Sequence, residues 1–241
     1  MAAVERLVGV HPVREALRAR RRTLHRLLLR PGSPRVEVQE VLRLAQSVGI
    51  PIEERSSEGS GHQAGDVVSL EAGPLPELDL DELSEARTLL ALDGVEDPQN
   101  LGALCRVAEA AGVDGLVLLR RRAPPLSPAV SRASAGALEH LPVARVPNLV
   151  RALNTLKSRK FWVVAATERA ACELFSAPDR WLEGPLVVLL GGEGRGLRRH
   201  VRDCADHEVR VPMAGQVESL NVSTAAAVVL FERLRRAGGA A

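Results

Sequence analysis

The sequence predicts an α/β protein, in which a domain with a mostly parallel sheet is preceded by a smaller α/β domain. After residue 88, short apolar runs of strand length alternate with helical stretches, which is the pattern of a parallel sheet covered by helices. Residues 1–70 show an alternation of strand and helix signals of their own. Residues 71–87 are rich in acidic residues, proline and glycine, as linkers often are. We therefore predict a first domain at 1–70, a linker at 71–87 and a second domain at 88–241.

The first domain contains four predicted elements. Pro12 suits the first turn of a helix over residues 13–20. Residues 24–29 form a short apolar run, and apolar residues at helical spacing predict a helix over residues 36–48. Residues 67–70 have the character of a last strand.

The second domain contains six predicted strands, at residues 89–92, 115–119, 143–146, 161–165, 186–190 and 208–211. Ligands of such sheets bind outside the carboxyl ends of the strands. The loops that follow these strands are therefore where functional residues are expected.

Composition narrows the class of protein. The chain has 241 residues, of which 46% are hydrophobic and 26% charged, as in ordinary globular proteins. We expect no membrane span and no secretory signal, because no apolar run is long enough and the first residues lack a charged stretch followed by an apolar core. Cys105, Cys172 and Cys204 are too few and too widely spaced to suggest a disulfide framework or a metal site. A reducing cytoplasm is the expected location.

Charge is distributed unevenly along the chain. The formal net charge is only +2, but residues 1–60 and 98–241 are net basic while residues 61–97 are net acidic. Almost all basic residues are arginines, which bind phosphates through two parallel hydrogen bonds and stack on bases, so the composition favours an RNA partner. Codon bias in a GC-rich genome would produce the same excess. The candidate RNA-contacting residues are a run near the N-terminus, which could also be only a solvated surface: Arg18, Arg20, Arg21 and Arg22.

The first chemically informative loop, residues 93–106, follows a strand and opens a helix. Asn100 is a plausible N-cap of that helix. Arg106 lies six residues further on, so helix geometry puts it on a different face from Asn100. On spacing alone, this segment is a capped helix that carries one arginine.

The second loop, residues 191–196, has four glycines and directly follows a predicted strand. Glycines let the backbone turn sharply or approach a ligand closely. The loop lacks the Lys-Ser/Thr of phosphate-binding loops and the G-x-G-x-x-G spacing of dinucleotide sites. Glu193 within the loop would repel a pyrophosphate, so a neutral or cationic ligand such as S-adenosylmethionine fits better. A purely structural turn is the alternative.

The third loop, residues 211–223, leads from a strand into a long apolar helix that is predicted to end near Leu234. Ser219, Asn221 and Ser223 bring three small hydrogen-bonding side chains to the helix entry. One such residue suffices to cap a helix, so the cluster favours a functional role.

Together the three loops resemble the signature motifs of the SpoU/TrmH branch of the SPOUT methyltransferases, N-x-G-x-x-x-R, G-x-E-G-x-G and P-M-x-G-x-x-x-S-L-N-x-S. The resemblance covers residues 88–236. Residues 4–70 resemble the substrate-binding domain of many members, opening with residues 9–17 and closing with His62 and Gln63, although Ala64 replaces a glycine common in relatives. Residues 134–143 are similar to the corresponding segment in the subgroup of this family that methylates a guanosine of 23S ribosomal RNA.

The resemblance implies S-adenosylmethionine-dependent 2′-O-ribose methylation of RNA, with no metal. It also implies a C-terminal trefoil knot, a ribosomal-protein-like first domain, and a homodimer whose active site draws on both subunits. The implied catalytic residues are Asn100, Arg106, Glu193 and Asn221. The implied cofactor-binding residues are Gly191, Gly192, Val211, Met213, Ser219 and Leu220.

Relatives are thought to use the arginine that matches Arg106 as a base. A guanidinium stays protonated in proteins, so we expect Arg106 instead to hold the adjacent phosphate and stabilise the developing oxyanion. Glu193 would order Arg106 or the loop. The alternatives are methylation of transfer RNA, a non-catalytic RNA-binding protein with the same fold, and a nucleotide-dependent enzyme that uses the glycine-rich loop.

Overall fold

The chain folds into two compact units in a computed structural model that describes residues 3–32, 35–54 and 67–238. The first unit contains residues 1–76 and 125–140, and the second contains residues 77–124 and 141–241. The chain therefore passes between the units three times, whereas the sequence suggested a single linker at 71–87. His62, Gln63 and Ala64 lie outside the described residues.

The first unit contains a four-stranded sheet with the order β1-β4-β2-β3. Only the pair of β2 and β3 is parallel. The helices α1 and α2 pack against each other, and their apolar residues, such as Leu17 and Val41, are fully buried. The elements are β1 (Glu5–Val8), α1 (Val10–Ala19), β2 (Leu24–Leu29), α2 (Arg35–Val48), β3 (Ile52–Glu54) and β4 (Val68–Ala72). Both predicted helices are confirmed, although α1 starts three residues earlier than expected.

The segment 125–140 completes the first unit with α4 (Pro128–Ala133), the fourth helix in the chain, and a 3-10 turn, Ala137–Glu139. Glu139 is buried, and its carboxylate accepts hydrogen bonds from Arg22 Nε at 2.7 Å and from the Ser131 hydroxyl at 2.8 Å. Arg22 also donates to Glu5 at 2.6 Å. A buried charge needs such partners, which is why this segment belongs with the N-terminal residues.

The second unit contains a seven-stranded sheet with the order β7-β6-β5-β10-β8-β11-β9, in which every neighbouring pair is parallel. Its strands are β5 (Thr88–Asp93), β6 (Gly115–Leu119), β7 (Val143–Val146), β8 (Trp162–Ala166), β9 (Cys172–Glu173), β10 (Leu186–Gly191) and β11 (His207–Arg210). All six predicted strands are confirmed, with ends that differ by at most one residue. The two-residue β9 is too short to leave a pattern.

The helices of this unit are α3 (Pro98–Ala110), α5 (Leu149–Ser158), α6 (Arg199–Arg202) and α7 (Val222–Gly238), with 3-10 turns at Leu80–Leu83, Leu174–Ser176 and Asp179–Trp181. Helix α7 packs on α3. Within the described residues, no helix is both long and apolar enough to span a bilayer. The trefoil knot stays a prediction.

Candidate active site

The three predicted loops converge at the carboxyl edge of the second unit's sheet. The first loop follows β5 and the glycine-rich loop follows β10, and these strands are neighbours in which Gly191 pairs with Asp93. The third loop follows β11, which is separated from β10 only by β8. The three loops therefore meet at the carboxyl ends of parallel strands, where ligands of such sheets bind.

A chain of side-chain hydrogen bonds joins the three loops. The Asn100 amide donates to the Glu193 carboxylate, and Asn221 Nδ2 donates to Asn100 Oδ1 at 3.0 Å. Asn221 Oδ1 accepts from the backbone N–H and the hydroxyl of Ser223, at 2.9 Å and 2.7 Å. Three of the four predicted catalytic residues are therefore in one network, which we call the Asn100 chain. Glu193 orders Asn100 in this network.

The helix caps explain how Asn100 is free to join. The interpretation of Asn100 as an N-cap is wrong, because Asp97 caps α3 by accepting from the Gln99 backbone N–H at 2.9 Å. Pro98, whose ring presets the helical φ and which lacks an N–H, occupies the first helical position and starts α3 earlier. Asn221 both caps α7 and donates to Asn100.

Arg106 lies apart from this network. It is exposed on α3 and has no hydrogen-bond or ion-pair partner among the residues that the structure describes. Six helical residues rotate a side chain by roughly 240°, so Arg106 and Asn100 occupy different faces, as the spacing predicted. Within a single subunit, the structure does not bring Arg106 near the hydrogen-bonded side chains of the Asn100 chain.

Gly191 and Gly192 are glycines because other backbone lies against them. A Cβ on Gly191 would be 2.2 Å from the Gly196 carbonyl carbon, and a Cβ on Gly192 would be 1.9 Å from the Gly94 oxygen. The Gly192 N–H donates to the Asp93 carbonyl at 2.9 Å. The backbone of the glycine-rich loop is therefore in direct contact with the first loop at Gly192 and with itself at Gly191. A side chain at either position would force these segments apart.

The contact between Asp93 and Arg198 was not predicted from the sequence. The Asp93 side chain is fully buried and accepts from the Arg198 backbone N–H at 3.0 Å and from its guanidinium at 2.6 Å. This bond fixes the exit of the glycine-rich loop against the end of β5. An acid at the end of an otherwise apolar strand was the signal that could have revealed it.

A cavity of about 390 Å³ opens at this edge, within the size range of small-molecule sites. All six residues predicted to bind the cofactor line it, namely Gly191, Gly192, Val211, Met213, Ser219 and Leu220. Thr167 and Glu168, beyond the end of β8, also line it. They were missed because the sequence does not reveal that β8 lies between β10 and β11.

The cavity lining is acidic. Glu168, Glu193 and Glu218 contribute carboxylates, and its described lining residues include neither lysine nor arginine. Phosphates would be repelled there, which opposes a nucleotide-dependent enzyme. A ligand with a sulfonium and an ammonium group is favoured, so the residues present fit S-adenosylmethionine.

The four arginines of the N-terminal run differ in burial and in hydrogen-bond partners. Arg22 is buried in its pairs with Glu139 and Glu5, so its guanidinium is not available to an RNA phosphate. Arg18 is exposed but pairs with Glu15 and Glu40, and Arg21 donates to the Glu139 carbonyl. The Arg20 side chain is exposed and has no partner among the described residues.

None of the three cysteines lines the cavity. Cys105, Cys172 and Cys204 are free thiols, and burial raises the pKa of Cys105 to about 12. In the described ranges, no cluster of three or more His, Cys, Asp or Glu side chains could hold a metal ion.

Comparison with known proteins agrees with this geometry. Residues 87–231 match the SpoU rRNA Methylase family, and residues 6–65 match the RNA 2′-O ribose methyltransferase substrate binding family. The 23S rRNA (guanosine-2′-O-)-methyltransferase RlmB of Shewanella oneidensis is 38% identical, over 95% of this chain and 96% of that protein. The putative TrmH family tRNA/rRNA methyltransferase YacO of Bacillus subtilis is also 38% identical, over 95% of both chains.

Among solved structures, the SpoU methyltransferase AviRb from Streptomyces viridochromogenes, in complex with the cofactor AdoMet, superposes with a TM-score of 0.83. The two proteins are 25% identical, and the match covers 98% of this chain and 91% of that one. Sequence, fold and site agree, and the chain belongs to the SpoU rRNA methylase family.

Proposed function

We propose that this chain is an S-adenosylmethionine-dependent RNA 2′-O-ribose methyltransferase of the cytoplasm, whose substrate is a guanosine of 23S ribosomal RNA. The observation that carries the proposal is the Asn100 chain beside an acidic cavity that excludes phosphates and suits a sulfonium. The printed names of the Shewanella and Bacillus relatives support the reaction, and the AviRb complex supports the cofactor.

The cofactor would occupy the acidic cavity and, when bound, supplies an electrophilic methyl group. Gly191, Val211 and Leu220 would contact it mainly through backbone. Gly191 has no side chain and ends β10, Val211 directly follows β11, and Leu220 lies just before α7. The carboxylates of Glu168 and Glu218 favour its positive charges.

The main task of the protein is then alignment of the ribose hydroxyl. Holding two reacting groups in position removes most of the entropic part of the barrier. The Asn100 chain fixes the side chains of three loops relative to each other, and Asn221 and Ser219 would orient the ribose. Arg106 would hold the adjacent phosphate and stabilise the oxyanion that develops as the methyl group transfers.

A homodimer would bring Arg106 to an active site, since Arg106 lies away from the Asn100 chain of its own subunit. Helix α7 carries an exposed apolar stripe at helical spacing, with Phe231 at 46% and Leu234 at 41% exposure. Such a stripe is the kind of surface that a second copy of the helix covers.

The dimer is tested by replacing Phe231 with aspartate. Sedimentation should show a dimer for the native protein and a shift to monomer for Phe231→Asp, with loss of methyl transfer. Phe175→Asp, at a phenylalanine outside α7 that is 56% exposed, is the matched control and should stay dimeric. A native protein that is monomeric at micromolar concentration would contradict the proposal.

The catalytic role is tested with Arg106→Ala. Methyl transfer in single-turnover assays should fall by at least about 100-fold, the usual effect of losing one transition-state contact. Calorimetric affinity for S-adenosylmethionine should stay within a few-fold, because Arg106 does not line the cavity. Near-normal transfer by the variant would remove Arg106 from the mechanism.

The RNA target is tested by mapping 2′-O-methyl groups in a deletion strain with and without the native gene. The expected result is one 23S guanosine that loses its methyl group and regains it on complementation. If only a transfer RNA nucleotide loses its 2′-O-methyl group, the substrate is transfer RNA and not 23S rRNA. Cofactor binding without loss of any site would favour a non-catalytic RNA-binding protein.

A further inference from the structure

We propose that Arg120, Arg121 and Arg122 form a second RNA-contacting surface, which holds backbone phosphates next to the nucleotide being methylated. We call this surface the 120–122 loop. The inference rests on the proposed function for the identity of its ligand. Its support lies in the position, rigidity, backbone strain and free charge of the loop.

The 120–122 loop lies at the same sheet edge as the active site. It directly follows β6, and the first catalytic loop directly follows β5. These strands are parallel neighbours, roughly 4.8 Å apart, so their carboxyl ends open side by side. Arg122 Nε is 3.4 Å from Glu96 Oε1 in the first loop.

A buried arginine holds this loop in shape. Arg145 is 6% exposed, and its guanidinium donates to the carbonyls of Leu119 at 3.1 Å, Ala123 at 3.4 Å and Pro124. The backbone is therefore fixed on both sides of the three exposed arginines. A surface fixed before binding loses less entropy when its ligand arrives.

The backbone of Arg122 is strained, with φ at 68°. Two other basic residues have positive φ, Arg20 at 53° and Lys160 at 70°, and both follow the ends of helices. There a residue in the left-handed conformation closes the last turn of the helix, as is common at helix C-termini. Arg122 follows a strand, so this explanation does not apply to it, and strain without a structural cause is typical of functional positions.

The charges of the 120–122 loop are largely free. Arg120 Nε donates to the Arg145 carbonyl at 3.3 Å, a neutral partner that leaves its charge in place. Arg121 is exposed and has no hydrogen-bond or ion-pair partner in the described part of the chain. The Arg122–Glu96 pair joins side chains that are 46% and 62% exposed, and such surface pairs bind weakly. Because the neighbouring cavity is acidic, phosphates of a strand that enters the active site need cationic partners outside it, and guanidinium groups suit them.

The test compares two full-length double variants that remove equal charge. Arg121→Gln with Arg122→Gln removes two positive charges from the loop. Arg180→Gln with Lys160→Gln is the matched control, because both residues are exposed and precede β10 and β8, at the opposite edge of the sheet.

The loop variant should raise the KM for unmodified 23S rRNA about 5- to 10-fold and lower the salt slope of binding by about 1 to 2. Its kcat should stay within about 2-fold and its affinity for S-adenosylmethionine should not change, because the loop touches the strand and not the reacting atoms. Equal behaviour of loop variant and control would overturn the proposal.

Cross-linking identifies which RNA nucleotides lie next to the 120–122 loop. A benzophenone attached to Arg121→Cys, in a Cys172→Ser background, should react with RNA adjacent to the methylated nucleotide. Cross-links found only elsewhere on the RNA would overturn the proposal. Anisotropy with a labelled transcript measures the salt slope without turnover. It tests the surface even if the native protein methylates no RNA, in which case only the proposed function fails.

Discussion

Two runs of arginine have opposite uses in this molecule. In the N-terminal run, Arg22 is buried against Glu139, and Arg18 is paired with two glutamates. In the 120–122 loop, the arginines are exposed and a separate buried arginine, Arg145, supports their backbone. The first run mainly stabilises a unit, whereas the second is available to a ligand. The number of arginines in a run therefore does not reveal its role, but the partners of each guanidinium do.

The largest difference should appear in stability when Arg22 is removed. Arg22→Ala would leave Glu139 buried without its main partner, and breaking a buried pair in this way costs about 3–5 kcal/mol. Guanidinium chloride denaturation would measure this loss in the free energy of unfolding.

Two further variants control that result. Arg20→Ala, at an exposed neighbour, should cost less than about 1 kcal/mol. The double variant Arg22→Met with Glu139→Leu should recover most of the stability, because apolar residues can replace a buried ion pair. A loss of less than about 1 kcal/mol for Arg22→Ala would show that the pair is not structural.

A smaller effect of opposite sign is expected in the 120–122 loop. Arg122→Gly should stabilise the protein by about 0.5–1 kcal/mol, because the relief of a left-handed backbone exceeds the entropic cost of glycine. Thermal denaturation measures this gain, and RNA affinity should fall at the same time. Arg20→Gly should gain less, since it also removes a charge from a helix C-terminus. Destabilisation by Arg122→Gly would mean that the strain is offset by contacts of the side chain.

The smallest expected effect is a difference in RNA affinity between variants of Arg20 and Arg18 in the N-terminal run. Arg20→Gln should weaken RNA binding about 3-fold at low salt, because its charge is free, whereas Arg18→Gln should have almost no effect, because Glu15 and Glu40 already neutralise it. Filter binding at several salt concentrations measures both. A larger effect of Arg18→Gln would indicate that RNA displaces its glutamates.

Most of the second unit could be predicted from the sequence. Its strands are buried on both faces and therefore appear as continuous apolar runs, such as Leu186 to Leu190. Because strand ends locate the loops, the family resemblance of the motifs there pointed to six of the cavity-lining residues and to three members of the Asn100 chain. The position of Arg106 on another helix face also followed from spacing.

The remaining features depend on contacts between distant parts of the chain. The order of strands, which brings Glu168 to the cavity, leaves no periodic signal. The cap at Asp97 was missed because Asn100 is an equally good capping residue and only the position of Pro98 decides between them. The assignment of residues 125–140 to the first unit depends on Glu139 meeting Arg22, and their separation of 117 residues hides this from any local pattern.

Because of that separation, the two partners of the buried ion pair are synthesised at different times. Arg22 is synthesised 117 residues before Glu139, and at about 5–20 residues per second the interval is roughly 6–23 s. During that time the N-terminal residues lack α4, and Glu5 is available to the Arg22 guanidinium but Glu139 is not. The first unit can therefore be completed only after β5, α3 and β6 of the second unit have been made.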